Sequence, residues 1–101
     1  MRIEVLFVPR CPNYAPALVR LREALAAESL APEIEEVPIN SLEDAVAWAF
    51  PGSPTIRIDG NDVEPDESNA PRLACRLYAN RTGLPSEEVL RRALARAKGP
   101  E

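Results

Sequence analysis

Cys11 and Pro12 follow an apolar stretch, in the order Phe7-Val8-Pro9-Arg10-Cys11-Pro12-Asn13-Tyr14. Proline suits the first position of a helix because the N–H group that it lacks would have no partner there. A helix that begins at Pro12 directs its free N–H groups and the positive end of its dipole at the Cys11 sulfur, which favours thiolate over thiol. The pattern therefore predicts a nucleophilic cysteine, and it does not identify what the sulfur attacks.

Cys75 is the other cysteine, and the sequence contains no histidine. The lack of histidine excludes a Cys-His nucleophile pair and leaves too few soft ligands for a four-ligand zinc site within one chain. Alternation over residues 73–78 predicts a strand with Cys75 on the core side, together with Leu73 and Leu77. A disulfide to Cys11 requires Cα atoms within about 7 Å, and we expect a cysteine in mid-strand to lie farther away. A distant resolving thiol and a shared soft metal ion are the other roles open to Cys75.

Length and composition predict one soluble domain, residues 1–101, with 46% hydrophobic and 28% charged residues. The net charge of −4 gives no overall field that would attract nucleic acid or an anionic membrane. The arginines, Arg76 among them, alternate with glutamates and are interpreted as solvated helix faces. No signal peptide and no stretch of about 20 apolar residues is recognisable. We therefore expect a cytoplasmic protein, with no membrane partner and with both cysteines as free thiols.

Hydrophobic periodicity predicts an α/β fold in the order β-α-β-α-β-β-α, with a four-stranded mixed sheet covered by helices on both faces. The first strand is apolar on both sides at its end and is expected inside the sheet, whereas Pro38 places the second strand at an edge. The acidic segment 61–72 is interpreted as a solvated loop rather than a calcium site. The predicted strands are 2–8, 33–39, 55–59 and 73–78, and the predicted helices are 12–29, 42–50 and 86–98. The helix at 42–50 is expected to pack through an apolar face that includes Leu42, Val46, Ala49 and Phe50.

This order of elements, the turn Cys11-Pro12-Asn13-Tyr14 and the tripeptide Ser53-Pro54-Thr55 before the third strand resemble a minimal thioredoxin-like fold over nearly the full chain. The resemblance implies a cis Ser53–Pro54 bond, with Pro54 against Cys11. It also implies that Thr55 helps to bind an extended thiol ligand by backbone pairing. By the same resemblance, the substrate site includes Pro12, Tyr14 and Ser53 as well as Pro54 and Thr55. The sequence departs from the family at Tyr14, where a second active-site cysteine would stand. We expect the Tyr14 ring to pack on the core.

Three functions are consistent with this pattern. The leading hypothesis is a monothiol, glutaredoxin-like redox protein in which Cys11 attacks a disulfide or a glutathione mixed disulfide. Its substrate is a thiol or disulfide, small or part of a protein, and glutathione is a co-substrate rather than a bound cofactor. Short proteins of this pattern also resemble sequences labelled alkylmercury lyase-like, which implies a soft-metal or mercurial role for Cys11 and Cys75. The third hypothesis is a binding module that keeps the fold without the chemistry. The oligomeric state stays open.

Overall fold

The order of strands and helices in the computed structural model, which describes residues 1–65 and 70–99, follows the predicted alternation. The elements of these two ranges are β1 (Ile3–Phe7), α1 (Tyr14–Ala27), β2 (Ile34–Pro38), α2 (Leu42–Ala47), β3 (Thr55–Ile58), β4 (Asn61–Asp62) and α3 (Glu87–Lys98). Six of them lie within a few residues of the predicted bounds. The exception is β4, which the sequence placed at 73–78.

The sheet has the order β2-β1-β3-β4. Strand β1 pairs in parallel with β2 and antiparallel with β3, and β3 continues antiparallel into β4. The predicted four-stranded mixed sheet is therefore confirmed. The interior position of β1 and the edge position of β2, which ends at Pro38, are also confirmed. This arrangement brings the C-terminal end of β1 next to the start of β3, because Leu6 pairs with Thr55.

Two apolar clusters lie on opposite faces of β1, because successive side chains of a strand point to opposite sides. Val5 belongs to the larger cluster, which joins β1 and β3 to α1 and α3. Leu6 belongs to the smaller cluster, which includes Ala45 of α2 and Phe50. The sheet thus carries helices on both faces, as expected. The larger cluster consists of Ile3, Val5, Leu18, Leu21, Leu25, Ile56, Ile58, Val63, Leu90, Ala93 and Leu94.

The predicted apolar face of α2 is wrong in part. Phe50 is fully buried as predicted, but Leu42 and Val46 are 60% and 61% exposed, and Ala45 is the residue of α2 that is fully buried. The helix ends at Ala47, and Ala49 takes a left-handed conformation with φ of 49°. The chain then turns back, so that the Phe50 N–H donates to the Ala45 carbonyl and the ring enters the core. A continued helix would not have brought Phe50 there.

Helix α1 begins at Tyr14 rather than at Pro12, and Asn13 is its N-cap residue. Pro12 lies in the preceding turn, and Pro16 occupies the first helical turn, where a missing N–H costs little. Helix α3 begins where predicted, because the Ser86 hydroxyl accepts the Val89 N–H at 3.1 Å. No helix in residues 1–65 and 70–99 combines the length and the apolar character that crossing a membrane requires.

Residues 73–78 form no strand, and the predicted orientation of their side chains is wrong. Cys75 is exposed and Leu77 is 70% exposed, whereas Arg76 and Tyr78 are only 3% and 2% exposed. The alternation is present, but the charged and aromatic residues face inward. An arginine is buried in proteins when it finds a partner of opposite charge, and Arg76 has one in Asp62 of β4. The same contact corrects the interpretation of Arg76 as a solvated arginine.

Candidate functional site

Cys11 lies in the turn between β1 and α1 and is partly exposed. Its N–H donates to the Val8 carbonyl at 2.9 Å, and its carbonyl accepts the Tyr14 N–H at 3.3 Å. Backbone hydrogen bonds on both sides of the cysteine therefore fix the path of the turn. Pro12, the next residue, is exposed on the outer side of this turn. Although α1 begins later than predicted, its N-terminus still follows directly from the cysteine turn.

The Tyr14 ring joins the two elements that flank this turn. It stacks on the Phe7 ring at the end of β1, with the ring centroids 3.8 Å apart and the planes at 10°. Tyr14 also packs against the larger apolar cluster, so the prediction that its ring packs on the core is confirmed. Because Phe7 and Tyr14 bracket residues 8–13, the stacked pair fixes the distance that the turn must span.

The loop of residues 52–55 lies beside the cysteine turn. The Ser53–Pro54 bond is cis, as predicted, and Ser53, Pro54 and Thr55 are all buried. The Ser53 hydroxyl accepts the Val8 N–H at 2.9 Å, which ties the loop to the start of the turn that contains Cys11. The Thr55 hydroxyl donates to the Gly52 carbonyl at 2.6 Å and closes the loop on itself.

Segment 74–78 binds this loop from another side. The Ser53 N–H donates to the Ala74 carbonyl at 2.8 Å, and the Ser53 carbonyl accepts the Arg76 N–H at 2.9 Å. Cys75 therefore lies directly opposite Ser53, in an isolated parallel bridge. The prediction that Cys75 is a core residue is wrong, because both of its neighbours turn their backbone groups toward the loop and its own side chain faces out. Cys11 and Cys75 are both free thiols.

Arg76 and Tyr78 complete the site, and sequence reasoning missed both. Arg76 donates to Asp62 Oδ2 at 2.8 Å, to Thr55 Oγ1 at 3.2 Å and to the Glu64 carbonyl. Its guanidinium lies 4.3 Å from the centre of the Tyr78 ring, and the Tyr78 hydroxyl donates to the Pro54 carbonyl. The signal available in the sequence was an arginine placed between apolar residues and following an acidic segment.

Burial keeps the Tyr78 hydroxyl protonated. Burial is the largest cause and raises the pKa of Tyr78 far above its usual value, while the positive charge of Arg76 lowers it. Negative charge on Asp62, Glu64 and Cys11 raises the pKa further. Tyr78 is therefore a neutral hydrogen-bond donor at any physiological pH.

The acidic segment does more than solvate a loop. The Asp62 carboxylate pairs with Arg76, and Glu64 accepts from Arg76 with its backbone carbonyl and from the Ala79 N–H with its carboxylate. Asp66 and Glu67, which were interpreted as solvated, lie outside the described residues. In the two described ranges, no group of three or more histidine, cysteine, aspartate and glutamate side chains is arranged to hold a metal ion.

The predicted site residues fall into a connected arrangement. Val8 links the Cys11 turn to Ser53, Ser53 links the loop to Cys75, and Tyr78 reaches the carbonyl of Pro54. Thr55 is part of the sheet that supports the site, since it is buried and pairs with Leu6 of β1. No protein-family model, curated protein or solved structure matches this chain.

Proposed function

We propose that this chain is a small thioredoxin-like thiol protein in which Cys11 exchanges disulfides. The observation that carries the proposal is the position of Cys11, partly exposed in a turn that the Val8–Ser53 hydrogen bond ties to the buried 52–55 loop. The order of elements supports it, because it is the order on which the resemblance rests. The cis form of Ser53–Pro54 agrees with the same resemblance.

The reaction needs one protein thiol and an external one. The Cys11 thiolate attacks one sulfur of a disulfide, a mixed disulfide forms on Cys11, and the other half of the substrate leaves as a thiolate. Glutathione then attacks the sulfur of the bound half, which leaves as a disulfide with glutathione, and the Cys11 thiol is restored. Tyr14 stands where a second cysteine would resolve the intermediate, so the second thiol comes from solution. The N-terminus of α1 follows the cysteine turn directly, and the positive end of a helix favours negative charge close to it.

Cys75 gives a second version of this function, in which the protein resolves its own intermediate. Its exposure and its place opposite Ser53 favour this version, since a core cysteine could not take part. The Cys75 thiolate would attack the sulfur of Cys11 in the mixed disulfide, forming a Cys11–Cys75 disulfide and releasing the bound half. Without added glutathione, wild type would stop at the mixed disulfide on the external route and would go on to the Cys11–Cys75 disulfide on the internal route. Cys75→Ser would block only the second outcome.

The test is the release of glutathione from a glutathionylated model peptide, with reduced glutathione as the second thiol. Wild-type protein is expected to accelerate the release, and Cys11→Ser is expected to lose the acceleration completely because it lacks the nucleophile. Cys75→Ser is the matched control, since it removes the other thiol with the same change of atom. The proposal is wrong if wild type gives no acceleration, or if Cys11→Ser keeps it while Cys75→Ser loses it.

A further inference from the structure

We propose that Arg76 and Tyr78 are positioning residues for Cys11: they hold the Pro54 carbonyl, and with it the 52–55 loop, in the orientation that lets a disulfide align with the sulfur. This inference rests on the proposed function, because it concerns how substrate reaches the same thiol. It adds two residues that neither the sequence pattern nor the resemblance indicated.

The first step is the hydrogen bonding of the loop. The Ser53 carbonyl accepts the Arg76 N–H, and the Pro54 carbonyl accepts the Tyr78 hydroxyl. Ser53 and Pro54 are buried, so water cannot replace a lost donor without reaching into the protein. Removing the Tyr78 hydroxyl therefore leaves a buried carbonyl without its donor, and this carbonyl is expected to rotate to find another partner.

The second step is the position of the tyrosine ring itself. The Arg76 guanidinium lies on the face of this ring, and the contacts to Asp62 and Thr55 fix the guanidinium in turn. Thr55 is part of the loop, so Arg76 touches both the loop and the tyrosine that orients it. The pair acts as one rigid unit, because a planar guanidinium held by a carboxylate has little freedom to follow a moving ring.

The third step is the difference between two reactions of Cys11. A disulfide must present its S–S bond in line with the attacking sulfur, and a rate that depends on such alignment is sensitive to small shifts of the surrounding groups. Iodoacetamide is a small electrophile, and its rate of reaction depends much less on the position of the groups around the sulfur. A positioning role therefore predicts that loss of the tyrosine hydroxyl slows disulfide exchange and leaves alkylation nearly unchanged.

The experiment uses the full chain with Cys75→Ser, so that Cys11 is the only thiol that reports. Tyr78→Phe in this background keeps the ring under Arg76 and removes the hydroxyl. We expect the second-order rate with glutathione disulfide to fall about five- to tenfold, which corresponds to one hydrogen bond, and the rate with iodoacetamide to stay within about twofold. Arg76→Lys, which keeps the charge and loses the planar contact, should likewise slow the reaction with glutathione disulfide and leave the reaction with iodoacetamide within about twofold. Leu77→Ala, on the exposed side of the same segment, is the control and should alter neither rate.

The inference is overturned if Tyr78→Phe leaves disulfide exchange unchanged. It is also overturned if both rates fall together with the melting temperature, because that pattern describes a general loss of structure rather than positioning. The proposed function fails differently: the parent chain with Cys75→Ser would then not react with glutathione disulfide at all, although it still reacts with iodoacetamide. The ratio of the two rates in the parent chain thus separates the two failures.

Discussion

Replacing Arg76 by methionine is expected to lower the free energy of unfolding by about 3–5 kcal/mol, the usual cost of removing one partner of a buried ion pair. Arg76 is 3% exposed, and its partner Asp62 is also largely shielded, with 16% of its side chain exposed. Methionine fills much of the space but donates no hydrogen bond. Asp62, the Thr55 hydroxyl and the Glu64 carbonyl then all lose the guanidinium. Urea unfolding followed by circular dichroism measures the change.

Arg92→Met is the matched control for this prediction. Arg92 pairs with Glu88 on α3, but the two side chains are 70% and 69% exposed. An exposed pair at this helical spacing contributes about 0.3–0.5 kcal/mol. If Arg76→Met costs no more than Arg92→Met, then Arg76 does not hold segment 74–78 against the loop, and the inference about its positioning role loses its structural basis.

Replacing Phe50 by alanine is expected to lower the free energy of unfolding by about 3–5 kcal/mol, through lost burial and the cavity that remains. Phe50 is fully buried in the smaller apolar cluster, where few other side chains could move in to fill the space. Its carbonyl accepts the Arg72 N–H at 2.9 Å, so Phe50 also helps to hold the segment that leads to Cys75. Thermal or urea unfolding checks this value.

Leu42→Ala serves as the comparison, because Leu42 belongs to the same predicted apolar face but is 60% exposed. Its replacement should change the free energy of unfolding by no more than about 0.5 kcal/mol. Equal losses for the two variants would mean that α2 packs through the face predicted from the sequence, and that the return of Phe50 to Ala45 is not the contact that closes this side of the sheet.

Much of the framework follows from local patterns. The apolar run of β1, the alternation of β3 and the serine before α3 each indicate an element without reference to the rest of the chain. Pro38 identified an edge strand because proline cannot donate to a ladder. The cysteine turn and the 52–55 loop were also recognisable, since both depend on residue types with particular chemical or conformational properties.

Segment 73–78 shows what such patterns cannot supply. Its alternation of side chains has the predicted period of two, but the period does not say which side faces inward. Hydrophobicity assigned Leu73, Cys75 and Leu77 to the core. The structure reverses this assignment because Arg76 meets Asp62, a residue of β4 that the sequence placed in a solvated loop. A buried ion pair between distant residues is a tertiary feature, and an arginine between apolar residues does not by itself identify its partner.

The most direct test of the central claim compares the reactivity of Cys11 and Cys75 toward glutathione disulfide in the wild-type chain. Cys75 is the more exposed cysteine and Cys11 is only partly exposed, so access alone predicts that Cys75 reacts first. The protein is mixed with less than one equivalent of glutathione disulfide, quenched with acid, digested and mapped by mass spectrometry. Reactivity set by the turn and the 52–55 loop predicts that glutathione is found mainly on Cys11. Modification of Cys75 as fast as Cys11, or faster, would contradict it.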